Sequence, residues 1–146
     1  MAEFEPSEQF ASFFFLAIDH AFASIEDEIG PLIPFVMFVD RAGDRTLQRF
    51  VAEQLEEAVE QAHGFILENQ SAWQMYALAW DGFITIEGKR TDGLFIEAGE
   101  RGDSDAVLFC QRYVPAAKKF FRTTKAQRIG NPGVVERPKS RLEVVV

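Results

Sequence analysis

The sequence predicts an α+β fold: an antiparallel sheet of about five strands, a hairpin plus a three-stranded meander, with two helices packed on one face. Three observations lead there. Apolar residues recur at helical spacing in two stretches, strand-like runs separated by turn residues fill most of the remainder, and no connection among the later runs is long enough for a parallel crossover. With 146 residues, 47% of them hydrophobic, one domain spanning 1–146 can bury a sizeable core without disulfides or metals.

Pro6 and Ser7 can each open a helix, and Phe10, Phe14, Ala17, Ile18, Ala21, Phe22, Ile25 and Ile29 then form its apolar stripe, which Gly30-Pro31 ends. Phe13, Phe15 and Leu16 widen the stripe past one face, so this helix should be clasped between the sheet and a neighbour or paired with a copy of itself. Leu32 to Asp40 is apolar on both faces, a strand covered on both sides. Arg41 to Asp44 has the composition of a hairpin loop, and Arg45 to Val51 returns as a second strand or else begins the next helix; the hairpin is favoured. From Ala52 to Asn69, Leu55, Ala58, Val59, Ala62, Phe65 and Ile66 lie three and four apart, with Glu53, Glu56, Glu57 and Glu60 on the outer face.

Three strands follow. Trp73 to Ile86 is long enough to bend, and Asp81-Gly82 is the expected β-bulge; Glu87 to Arg90 turns the chain, Thr91 to Ala98 runs back, and Asp105 to Val114 is the last strand. Ala116 to Thr123 fits a short helix or an edge strand. The segment 115–146 reads as a basic C-terminal extension, packed on the body or on a second subunit.

Charge divides the chain. Residues 1–72 carry fourteen acidic side chains against three basic ones, whereas Arg112 to Arg141 hold nine Lys/Arg and a single acid, Glu136. A formal net charge of −8 opposes general affinity for nucleic acid or anionic membrane, although the tail's cations with Tyr113, Phe120 and Phe121 have the ingredients of nucleic-acid contact. Those rings are expected in the core and those cations against the acidic body. The acidic start without a Lys/Arg-rich segment, the lack of an apolar run of membrane-spanning length and the lone Cys110 together predict a soluble, cytoplasmic protein.

No motif has the spacing of a catalytic or cofactor signature, and the glycines open no phosphate loop. The catalytic candidates are Asp81, Asp92, Glu97, Gln111 and Arg112. If Ile86 pairs with Thr91, then Asp81 and Asp92 share a face four residues apart, and a bulge at Asp81-Gly82 could bring Asp81 to Glu97. Carboxylates on neighbouring strands hold magnesium or manganese in metal-dependent phosphodiesterases, so Asp81, Asp92 and Glu97 define an alternative reading as a metal-dependent hydrolase. Otherwise Asp81 and Asp92 satisfy backbone groups, and Glu97 pairs with Arg112 or Arg90. His20, His63 and Cys110 lack partners at ligand or nucleophile spacing and are expected to be inert.

The leading expectation is a non-enzymatic binding or interaction module, without a cofactor, whose partner surface is the aromatic set Tyr76, Trp80 and Phe83. The surplus of large rings on one sheet face predicts a second layer, either the tail or the partner of a homodimer.

Overall fold

In the computed structural model, which describes residues 6–142, the first helix α1 runs Glu8–Ile25. Ser7 caps it: its Oγ accepts the Phe10 N–H at 3.1 Å and donates to Glu100 at 2.7 Å, so one hydroxyl both starts the helix and fastens it to the sheet. The helix ends before Ile29, at three consecutive acids, Glu26, Asp27 and Glu28, which oppose the negative end of its dipole.

The strands β1 (Phe35–Asp40) and β2 (Arg45–Arg49) form the favoured hairpin. Helix α2 (Leu55–Asn69) and a short 3-10 turn lead to β3 (Trp73–Ile86), β4 (Lys89–Glu100) and β5 (Val107–Val114). The tail adds β6 (Ala117–Lys119), β7 (Arg122–Thr124), β8 (Gln127–Arg128) and β9 (Gly133–Glu136). The sheet order is β2-β1-β3-β4-β5-β8, every neighbouring pair is antiparallel, and β9 also pairs with β5. The sheet therefore exceeds the expected five strands because the tail supplies its edge. Segments β6 and β7 form a separate hairpin outside it.

The helices lie on opposite faces of the sheet, not on one. Residues of α1 (Phe10, Phe13, Phe14, Ile18) cluster with Phe35, Met37, Ala77, Ala79, Ile96 and Ala98, while Ala62 and Ile66 of α2 cluster with Val36, Tyr76 and Leu78. Strand alternation explains the split: β1 and β3 are apolar on both faces, so each face needs its own cover. On the α1 side, large rings from the helix meet alanines of the sheet, and Phe14 approaches Phe109 of β5 to 4.1 Å between ring centres. On the α2 side the helix covers only part of the face, and the tail completes the layer through Leu142. The apolar end Val144 to Val146 lies outside the described residues.

Two expectations about register fail together. The β3–β4 turn is two residues, Glu87 and Gly88, both at positive φ (52° and 77°), so Ile86 pairs with Lys89 and not with Thr91. Pairing then runs unbroken through Asp81↔Leu94 and Gly82↔Gly93, leaving no bulge at Asp81-Gly82. The irregularity sits earlier, where Val39 pairs Met75 but Asp40 pairs Trp73, skipping Gln74. Gly82 and Gly93 serve close approach instead: a Cβ at Gly93 would lie 2.6 Å from the Cys110 sulfur, and one at Gly82 3.1 Å from the Phe95 ring. Among the described residues, no helix is long and apolar enough to cross a membrane.

Candidate functional site

Register decides which carboxylates can meet. Asp81, Leu94 and Gln111 form one row across β3, β4 and β5, and Phe83, Asp92 and Tyr113 form the next, all on the α1 face. Asp81 and Asp92 are thus diagonal neighbours, closer than the four-residue separation expected. Glu97, paired with Leu78, points to the other face. Asp81, Asp92 and Glu97 are therefore split by the sheet, and among the described residues no three His, Cys, Asp or Glu side chains are grouped to hold a metal ion.

The Asp81–Asp92 side opens into a cleft of about 420 Å³ where four parts of the chain meet. The loop after α1 supplies Ile29, Gly30 and Pro31, α2 supplies Leu55, the sheet supplies Phe83 and Tyr113, and Pro115-Ala116 forms the root of the β6–β7 hairpin. Its lining is predominantly apolar. Within it, Asp81 accepts the Leu32 N–H at 2.7 Å, and the Tyr113 hydroxyl lies 2.8 and 2.7 Å from its two oxygens. Burial raises the Asp81 pKa, the Leu32 and Tyr113 hydrogen bonds oppose that, and Asp92 adds to the rise. Burial and Asp81 push the Tyr113 phenol upward. Asp92 is half-exposed, lines the cleft, and has no hydrogen-bond or ion-pair partner among the described residues. Phe83 is 58% exposed, with the Arg90 guanidinium 4.0 Å over its ring.

On the opposite face, Glu97 is buried and closed off. Its Oε2 accepts from the Tyr76 hydroxyl at 2.7 Å and from Arg141 Nε at 2.6 Å, and its Oε1 accepts from Arg141 Nη2 at 3.2 Å. Neither Arg112 nor Arg90 reaches it; the partner comes from the tail, 44 residues on. The same Nη2 donates to His63 Nε2 at 3.3 Å, so His63 is neutral with its proton on Nδ1, and burial followed by Arg141 lowers its pKa. Gly99 makes this arrangement possible, since a Cβ there would lie 2.5 Å from the Tyr76 ring and 2.9 Å from Ser140 Oγ.

The other candidates fall outside the cleft. Gln111 is fully buried and its Nε2 donates to the carbonyls of Arg112 at 2.9 Å and Gly130 at 3.0 Å, which fastens the tail to β5. Arg112 lies on the α2 face beside Gly93 in register. Cys110 is buried, and that burial pushes its thiol up to about 11. His20 accepts from Arg49 at 3.3 Å against the edge of Phe35 and does not line the cleft. The aromatic set divides as well: Tyr76 is fully buried, Trp80 stacks on Phe95 on the α2 face, and only Phe83 faces the cleft.

Sequence reasoning missed Tyr113, Pro31 and Leu55 as cleft residues, and Arg141 as the Glu97 partner. Tyr113 was recoverable from strand alternation once Asp92 was paired correctly; no sequence signal marks Arg141. No protein-family model, curated protein or solved structure matches this chain.

Proposed function

We propose that the protein is a non-enzymatic binding module whose cleft between Asp81, Phe83, Asp92 and Tyr113 receives a group that is apolar in body and positively charged at one end. The observation that carries this is Asp92, a carboxylate without a partner among the described residues, set among apolar walls. Among the described residues no cationic side chain lines the cleft, and Phe83 already receives one cation, Arg90, on its ring, which is the mode of contact a ligand ammonium or guanidinium would use. Binding is favoured over catalysis because Asp81 is engaged by two donors and the Tyr113 phenol is held protonated. Asp81 and Tyr113 are thereby tied to each other, which leaves Asp92, alone of the cleft's polar side chains, to meet a charge from outside. A hydrolase organised by Asp81, Asp92 and Glu97 would require Glu97 on the face it does not occupy.

Phenethylamine and phenylacetate differ mainly in the sign of the charge beside a phenyl ring. Nuclear magnetic resonance titration should show saturable binding of the amine and none of the acid, with Asp92→Asn weakening the amine by about tenfold. Equal binding of both, or of neither, would remove the proposal.

A further inference from the structure

The basic tail is matched to the acidic body almost residue by residue. Lys125 lies within 3.8 Å of Glu26 and Asp27, Arg128 lies 3.0 Å from Asp19, Arg137 3.9 Å from Asp103, Lys139 3.6 Å from Asp105, and Arg141 pairs with Glu97. Three cations break the pattern. Lys118, Lys119 and Arg122 have no carboxylate within ion-pair distance among the described residues, and all three sit on the β6–β7 hairpin. Between them, at its tip, Phe120 and Phe121 are 95% and 104% exposed, the opposite of the core placement expected from sequence. Two bare rings collared by cations have the chemistry of a ligand segment, and Phe120 adopts a φ of 56° to make the turn that presents them.

Resting on the reading of the cleft given above, we infer that its occupant is the β6–β7 hairpin tip of a second copy of this chain. The tip offers what the cleft lacks: aromatic rings for the walls formed by Pro31, Leu55 and Phe83, and a cation for Asp92. The hairpin grows from the rim of its own cleft at Pro115-Ala116, so donor and acceptor surfaces adjoin and a two-fold axis beside them lets both contacts form at once. An anionic bilayer suits the tip alone but not the molecule behind it, whose net charge is −8.

Sedimentation velocity over a micromolar concentration series tests this on the full chain, with circular dichroism confirming that each variant folds. The wild type should dimerise. Phe120→Asp combined with Phe121→Asp, which touches only exposed rings, and separately Asp92→Lys should each weaken dimerisation by at least about tenfold, and mixing the two variants should recover a mixed dimer through the one intact contact. A wild type that stays monomeric, a dimer indifferent to both changes, or a monomer whose tip instead binds phosphatidylserine vesicles would overturn the inference. Phenethylamine binding to the tip variant separates the two readings. Retained amine binding with a monomeric wild type leaves the ligand reading and removes the interface, whereas lost amine binding with a tip-dependent dimer does the reverse.

Discussion

Asp81 and Glu97 lie on adjacent strands of one sheet, on opposite faces, and the fold treats them in opposite ways. Glu97 meets a guanidinium and a phenol, so its charge is neutralised and its two oxygens accept three hydrogen bonds. Asp81 meets a backbone N–H and a phenol but, among the described residues, no cation, and a second carboxylate, Asp92, stands beside it at the mouth of a cleft. A buried carboxylate closed by arginine acts as a lock for the tail. An un-neutralised pair of carboxylates at an opening retains affinity for a positive group from outside.

The largest losses are expected on the locked side. Arg141→Ala leaves Glu97 buried with only Tyr76 and should cost about 3 kcal/mol, read as a shift in the urea midpoint, together with new protease sensitivity in residues 137–142. Gly99→Ala forces the Tyr76 ring off its seat and should cost about 2–3 kcal/mol without touching any charge. A variant as stable as wild type in both cases would show that the lock contributes nothing.

On the open side the expected losses are smaller. Tyr113→Phe removes one donor from Asp81 and should cost about 1–2 kcal/mol. Asp81→Asn can still accept the Leu32 N–H, and it should change the pH dependence more than the stability. Because the folded state raises the Asp81 pKa, the unfolded chain loses that proton first; wild-type stability then falls as pH rises from the ordinary aspartate value of 3.8 through the folded one, and Asp81→Asn should flatten that limb. His63 has the reverse sign. Its folded pKa is lowered, so the unfolded chain takes up the proton first as pH falls below 6.5, and the lock weakens toward acid; His63→Gln should remove that slope in denaturation curves taken from pH 8 to 5.

The smallest change in stability is expected at Asp92. Asp92→Asn touches no internal partner and should leave stability within about 0.5 kcal/mol of wild type while reducing ligand affinity. Millimolar magnesium or manganese should raise the melting temperature no more in wild type than in Asp92→Asn; a shift lost on that substitution would instead favour the metal-dependent alternative.

How far the sequence carried the fold depended on the range of the interactions involved. Helices α1 and α2 and strands β1 to β5 were legible because 3.6-residue and two-residue periodicities are local properties of the chain. The β3–β4 register was not. The two-residue turn places Glu87, which is not a residue that favours positive φ, where asparagine or aspartate would have announced it, so the turn looked two residues longer than it is. Gly82 likewise resembled a bulge glycine because the Phe95 ring that lies against it belongs to another strand. Phe120 and Phe121 were assigned to the core by composition, which cannot distinguish a ring that has a neighbour from one that projects at a turn.

Composition and short-range pattern are enough to specify an α+β chain with an antiparallel meander, an acidic first half and a basic tail. Tertiary contacts set which face each helix covers, which carboxylate the tail neutralises, and the cleft that Asp81 and Asp92 share without Glu97. Those outcomes follow from the strand register and from contacts between residues tens of positions apart. A shift of one residue in that register would have sent every side chain to the other face.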